Sequence, residues 1–414
     1  MDGECPEQVP DVTRESPELR ELLTAVIARE GGVIPFARFM DLALYAPGLG
    51  YYEREARTVG RAGDFQTSVS VGPLLGDLLG FECARWLSFL EGRGDDPLDL
   101  VEAGAHDGRL AADLLAWFQR WRPGMFSRLR LWLVEPSARR RTWQQTTLER
   151  WKDRVHWVAA LDALLMQTGG IRGVFYSNEL LDAFPVHRLV WRRPSGNWEE
   201  LGVAFDADGG LVWRPLPPAR ITDAAADLAR LAALPSELRA VLPDGFTVDV
   251  CPAADAWWRA AAGTLRAGVL MALDYGFGED APLRPEHPAG TLRGYRDHRV
   301  HADDLADPGA SDLTASVEFG RIAAAGESVG LRTVVRVSQR RWLTELFEAT
   351  LASGAEFAPW DSARVRQFQT LTHPEHLGRR FQVLVQQRGM DPARMGHFEH
   401  SLPSAEGLPS AGPA

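Results

Sequence analysis

Between Leu98 and Leu110 the chain reads Leu-Asp-Leu-Val-Glu102-Ala-Gly104-Ala-His106-Asp-Gly108-Arg-Leu110, an apolar strand followed by a tight glycine turn and the start of a helix. A second apolar strand, Leu129 to Val134, runs straight into an acid, Glu135. Strand, turn, helix and strand in this order force the two strands to be parallel with a right-handed crossover. A glycine turn at the first strand's end lets a ligand approach the backbone. An acid at the second strand's tip can accept hydrogen bonds from ribose hydroxyls. Together these features predict a cofactor-dependent α/β enzyme.

The alternation continues through strand candidates at Val155 to Ala159 and Val174 to Tyr176, separated by helical segments. The first of these helices presents Leu110, Leu114, Trp117, Phe118 and Trp121 on one face. Ahead of the sheet, Ser16-Pro17 caps one helix, Phe36 to Leu44 marks a second, and Leu74 to Trp86 marks a third. After Pro185, Val186 to Trp191, Trp198 to Phe205 and Leu211 to Trp213 alternate around turn residues as a β-meander. Helices are expected from Ile221 to Leu242, around Trp257-Trp258 and through Phe319, Ile322 and Ala325. Further strands are expected at Val269 to Leu273 and Phe381 to Gln386.

Composition narrows the function. Of 414 residues, 45% are hydrophobic, enough for a large core and for more than one compact domain. A formal net charge of -11 argues against a nucleic-acid or anionic-membrane surface, and no apolar run approaches the roughly 20 residues that span a bilayer. The run Arg139-Arg140-Arg141 reads as helix surface. Cys5, Cys83 and Cys251 are too far apart to form a metal knuckle or a disulfide framework, and the acidic N-terminus is unlike a leader, so a cytoplasmic protein is expected. No metal is expected: His298 and His301 lack a ligand-spaced partner.

The turn by itself suits both nicotinamide enzymes and methyltransferases that use S-adenosyl-L-methionine (SAM). Two details favour the methyltransferases. The dinucleotide fingerprint needs a middle glycine where His106 stands, a residue type that tolerates a positive φ. Glu102 would also repel a pyrophosphate, whereas it suits the ammonium of a methionine moiety. Glu135, followed by Pro136, is the ribose acid, and Asp162 either meets the adenine amino group or caps the next helix.

The densest polar cluster follows the fourth strand, Tyr176-Ser-Asn178-Glu179-Leu-Leu-Asp182-Ala-Phe184-Pro185. A guanidinium acceptor has a pKa above about 12 and a delocalised lone pair, so carboxylates that hold it by paired hydrogen bonds both orient it and stabilise its charge. Asn178, Glu179 and Asp182 are the candidates for that role. The alternative is that Asn178 and Glu179 only cap a helix.

These motifs resemble the MidA family, SAM-dependent methyltransferases whose mitochondrial members are complex I assembly factors with protein arginine methyltransferase activity. The matches are Gly50-Tyr-Tyr52, Gly63-Asp-Phe-Gln-Thr67-Ser68, Gly76-Asp-Leu-Leu79, Val101-Glu102-Ala-Gly104, Val134-Glu135-Pro-Ser137 and Ser177 to Pro185. Later ones are Leu273-Asp-Tyr-Gly276, Gly290-Thr-Leu-Arg-Gly-Tyr295 with His298, and Asp312 to Phe319. The resemblance implies a class I, Rossmann-like α/β methyltransferase fold with a seven-stranded, mostly parallel sheet. It also implies a loop carrying Gly63, Asp64, Phe65, Thr67 and Ser68 folded over the cofactor, and an acceptor arginine on another protein, such as a respiratory-complex subunit. Domain boundaries are expected at 16–95 (N-terminal helical region with the covering loop), 96–185 with 251–390 (the SAM-binding domain) and 186–250 (an inserted α+β subdomain), with loose tails at 1–15 and 400–414.

The chain departs from the family at His106, Val69-Ser70 and Ser316. Those departures keep open a non-catalytic assembly or scaffold protein on the same fold, and an NAD-dependent oxidoreductase is a further alternative.

Overall fold

The computed structural model describes residues 16–54, 68–90, 96–221, 223–281, 283–296, 299–300, 303–374 and 377–390. Gly63, Asp64, Phe65, Thr67, His298, His301 and both expected tails lie outside the described residues. The chain divides into two compact units, one made of Met1–Gln66, Phe184–Pro252 and Pro282–Ala315, the other of Thr67–Ala183, Ala253–Ala281 and Ser316–Ala414.

The second unit is built on strands β1 (Leu98–Ala103), β2 (Leu129–Val134), β3 (Val155–Val158), β4 (Ile171–Asn178), β5 (Leu265–Phe277), β6 (Arg332–Ser338) and β7 (Phe381–Arg388). They lie in the order β3-β2-β1-β4-β5-β7-β6, and a two-residue strand, Val317–Glu318, adds to the end of β5. All neighbours along β3 to β5 are parallel, and β7 runs antiparallel to both β5 and β6. The chain winds one way from β1 to β3 and then returns to place β4 on the other side of β1. Open α/β sheets bind their ligands at such a reversal, which here lies at the carboxyl ends of β1 and β4.

Besides the one-turn helix Pro123–Phe126, the helices of this unit are α1 (Leu74–Leu90), α2 (Arg109–Trp121), α3 (Ala138–Leu148), α4 (Leu161–Thr168), α5 (Pro252–Thr264), α6 (Phe319–Glu327), α7 (Gln339–Ala352) and α8 (Ser362–Thr372). Because side chains alternate along a strand, a sheet covered on both faces needs apolar residues at nearly every position. Leu100, Val174, Tyr176, Met271 and Val383 pack in one core with Leu78, Leu114 and Trp342 from α1, α2 and α7. On α5, Trp257 meets Phe175 edge-on at 5.9 Å, and Trp258 donates its indole N–H to Gln386 at 2.7 Å.

The first unit holds helices Pro17–Arg29 and Phe36–Tyr45 and an antiparallel sheet. Its strands are Ile34–Pro35, Asn197–Phe205, His187–Arg192 and Thr247–Val250, with Leu211–Pro215 also paired to Asn197–Phe205. Ser16 caps the first helix by accepting from the Leu19 amide at 3.2 Å. The meander expected after Pro185 is present, extended by the later strand Thr247–Val250. The helical stretch expected from Ile221 to Leu242 is shorter, Ala225–Ala232 and Ser236–Val241, because Pro235 cannot continue the helix before it. Among the described residues no helix is long and apolar enough to cross a membrane.

The two units divide the chain differently from the boundaries expected from the sequence. Helix α1 groups with the sheet and not with the N-terminal helices, because its small Gly80 lets Trp117 of α2 pack flat on its backbone. Pro282–Ala315 groups with the meander, through the strand pairing of Arg293–Arg296 with Asp312–Thr314 and the bond from the Thr247 amide to the Pro288 carbonyl.

Candidate active site

Strands β1 and β2 pair in register, with Glu102 opposite Leu133 and Ala103 opposite Val134, so the two strand tips stand side by side. On the other flank of β1, Ala103 faces Ser177 of β4. Most of the residues singled out from the sequence therefore gather around three adjacent strand ends.

The turn after β1 has three residues of positive φ in five positions: Gly104 at +77°, His106 at +46° and Gly108 at +84°. A Cβ on Gly104 would stand 3.0 Å from Leu180, so the bare glycine backbone is what fits there. His106 is accommodated in the left-handed region as a turn residue, its ring 6.0 Å from that of Trp143. Gly108 caps α2, and the next amide, of Arg109, donates to Asp107 at 3.3 Å. Burial works to raise the Asp107 carboxyl, but His106 and Arg109 outweigh it and leave it below the usual carboxylate range.

Glu102 is buried and accepts a 2.9 Å hydrogen bond from the Tyr176 hydroxyl. Burial pushes its carboxyl up to about 8, against the Tyr176 bond and with help from the nearby Asp107 and Asp113. Glu135 is also buried; one carboxylate oxygen accepts from the Ser137 amide and the other from the Gln144 side chain, both at 3.0 Å. Pro136 follows it at the surface. Asp162 is exposed in the first turn of α4, whose N-cap is Ala160 with no side-chain capping bond, so the capping role weighed for it is not observed.

At the tip of β4, Asn178 ends the strand and Glu179 takes a positive φ of 53°. The Glu179 carboxylate accepts from the Ser68 amide at 2.8 Å and from the Asn178 amide group at 3.1 Å. This differs from helix capping, because the segment beyond is a single 3-10 turn, Leu181–Ala183, which carries Asp182. Burial pushes the Glu179 carboxyl up to about 7, opposed by the Ser68 and Asn178 bonds. Non-glycine residues held at positive φ cluster where a fold needs a side chain aimed in an unusual direction.

Three contributors were not singled out as site residues from the sequence. Asp274, near the C-terminal end of β5, accepts from the Leu180 and Leu181 amides at 2.9 and 2.7 Å and so fixes the turn that presents Glu179. Burial raises its carboxyl to about 6 against the pull of those amides. Tyr176 holds Glu102, and Gln144, wholly buried on α3, holds Glu135. An acid closing an apolar strand was the legible signal for Asp274. Gln144 sits in a polar run, Arg-Thr-Trp-Gln-Gln, that gives no such signal.

This set fits an adenosyl cofactor with an amino-acid tail: acids at two neighbouring strand tips, a glycine turn where a Cβ would crowd Leu180, and a buried Asn178 side-chain oxygen that makes no hydrogen bond among the described residues. A family model described as S-adenosyl-L-methionine-dependent methyltransferase matches residues 78–337. The chain is 27% identical to the mitochondrial protein arginine methyltransferase NDUFAF7 of Danio rerio, over 88% of this chain and 85% of that protein. It is 26% identical to the Drosophila melanogaster homologue, covering 89% and 84%. Among solved structures, a COG1565 superfamily protein from Burkholderia thailandensis bound to S-adenosyl-homocysteine matches with a TM-score of 0.78 and 31% identity, covering 94% of this chain and 96% of that one.

Proposed function

Because the chain belongs to the S-adenosyl-L-methionine-dependent methyltransferase family, we propose that it methylates an arginine side chain of a partner protein. The observation that carries this reading is the Glu179 carboxyl, held at the β4 tip beside the β1 turn by the Ser68 amide and Asn178. The names of the relatives, protein arginine methyltransferases at 26 and 27% identity, support the acceptor.

SAM, when bound, supplies an electrophilic methyl carbon on a sulfonium. Within this reading Glu135 accepts from the ribose hydroxyls, Glu102 faces the ammonium, and Gly104 and Gly108 admit the chain between them. His106 completes the turn, while Asp162 at the β3 side meets the adenine. The family resemblance assigns Gly63, Asp64, Phe65 and Thr67 to cofactor binding as well, and Ser68 acts through its bond to Glu179. Glu179, with Asn178 and Asp182, orients the guanidinium and stabilises its charge. A carboxyl raised to about 7 is also matched to receiving the proton that the nitrogen loses as its new bond to carbon forms. The reduced thiols of Cys83 and Cys251 fit a reducing compartment such as the cytoplasm.

The test is to incubate the protein with methyl-labelled SAM and a proteome extract, hydrolyse the product and identify the labelled amino acid. Label in methylarginine, lost in Glu179→Gln, is the expected result. Label confined to another residue type refutes the acceptor. Tight S-adenosyl-homocysteine binding with no transfer to any protein favours the assembly role.

A further inference from the structure

The side-chain amide of Gln144 touches both halves of the cofactor site. Its nitrogen donates to Glu135 at 3.0 Å and to the backbone carbonyl of His106 at 3.1 Å, and its oxygen accepts from the Trp157 indole at 3.0 Å. The chemistry allows only this orientation. An indole N–H can only donate, so the amide oxygen must face it; an ionised carboxylate and a carbonyl can only accept, so the NH₂ must face them. All three amide partners are thus satisfied inside a residue with no exposed surface.

The backbone brings this about. Helix α3 packs its Gln144 turn directly on the glycine turn, with the Gln144 Cα 3.4 Å from where a Gly108 Cβ would stand. Glu135 follows the end of β2, its amide donates to the Val158 carbonyl at 2.9 Å, and its carboxylate also accepts from the Ser137 amide, so Gln144 adds a side-chain restraint on the carboxylate's second oxygen. The carbonyl that Gln144 holds belongs to His106, the one residue of the turn that reaches positive φ without being glycine.

We infer that Gln144 is a positioning residue that aims the Glu135 carboxylate and locks it to the β1 turn, so that the site reads the ribose hydroxyls of the cofactor. The inference rests on the proposal that Glu135 holds the ribose. Gln144 itself touches no reacting atom, and its action passes through Glu135.

The decisive measurement is a ratio of affinities by calorimetry: S-adenosyl-homocysteine against its 2′-deoxyribose analogue, in the wild type and in Gln144→Met. Met keeps the volume and removes both donors. In the wild type, losing a hydroxyl that a buried carboxylate accepts should weaken binding about 10-fold or more. In Gln144→Met that ratio should collapse to within about 2- to 3-fold, because a misaimed carboxylate no longer distinguishes the two ligands. A merely structural role would weaken both ligands together and leave the ratio as in the wild type, which overturns the inference while the Glu135 assignment stands. A wild-type ratio near one, with Glu135→Ala binding both ligands unchanged, refutes the ribose assignment and the inference with it. If Gln144→Met does not fold, as judged by its thermal melt, Gln144→Leu decides. It too removes both donors and cannot replace them by a shared proton, so the same collapse is expected and a retained ratio overturns the inference.

Discussion

Glu102→Gln should make the protein more stable and the site worse, in a pH-dependent way. The Glu102 carboxyl rises from an ordinary 4.5 to about 8 in the folded chain because it is buried. For an acid whose folded pKa is raised, the folded state binds the extra proton. The cost of folding with this residue is therefore absent below the unfolded value, grows as pH rises, and levels off above the folded value. Linkage puts the cost at about 1 kcal/mol at pH 5 and about 4 kcal/mol at pH 8, so the gap between variant and wild type should widen by about 3 kcal/mol across that interval. The Gln oxygen can still accept the Tyr176 hydroxyl, and any difference in neutral packing cancels in the comparison between two pH values. For a body of this size the melting-temperature gap should open by roughly 6–12 °C. Differential scanning fluorimetry of both proteins at pH 5, 6, 7 and 8 measures it. The same variant should bind S-adenosyl-homocysteine about 10-fold more weakly, since its ammonium loses a carboxylate partner, yet bind 5′-methylthioadenosine, which lacks the amino-acid tail, as the wild type does. A stability gap that stays flat from pH 5 to pH 8 refutes the burial argument. An equal loss for both ligands refutes the ammonium assignment.

Three further outcomes follow from the geometry. Gly104→Ala must place a methyl 3.0 Å from Leu180 at a φ of +77°, so it should cost about 1–2 kcal/mol in the melt and abolish measurable S-adenosyl-homocysteine binding in calorimetry. Asp274→Ala leaves the Leu180 and Leu181 amides without their acceptor, and urea unfolding should show a loss of about 2–4 kcal/mol, accompanied by loss of methyl transfer. Asp162→Ala changes an exposed residue that makes no capping bond, so its melt should shift by less than about 0.5 kcal/mol while cofactor affinity falls; an unchanged affinity removes Asp162 from the adenine site.

The sequence was most readable where periodicity and turn chemistry agree. Strand β1, its glycine turn and the apolar face of α2 were visible because alternation, positive-φ glycine and helical spacing all point the same way over a dozen residues. Strand β6 was not, because Arg332-Thr-Val-Val-Arg-Val mixes polar and apolar residues as a sheet-edge strand does, and α7 and α8 carry too many polar positions to stand out. In the site, residues fixed by their place at a strand end, Glu102, Glu135 and Asn178, could be read from the chain. Contacts that reach across the fold could not: Gln144 to Glu135, Asp274 to the turn after β4, Ser68 to Glu179. They depend on neighbours far away in sequence, and for Gln144 nothing local distinguishes the residue at all. The unit boundaries suffered for the same reason, since α1 declares its allegiance only through what packs on Gly80.

The interior strand β5 has a consequence for biosynthesis. It sits between β4 and β7, and its Asp274 grips the loop bearing Glu179, yet it is translated only after the whole meander. A nascent chain that has completed β1 to β4 already carries Glu102, Glu135 and Glu179, but it lacks the Asp274 clamp on the turn after β4 and the strand that pairs with β4. Truncated products should thus be inert and exposed along an unpaired β4 edge, making them targets for chaperones or proteolysis and not rogue methylators.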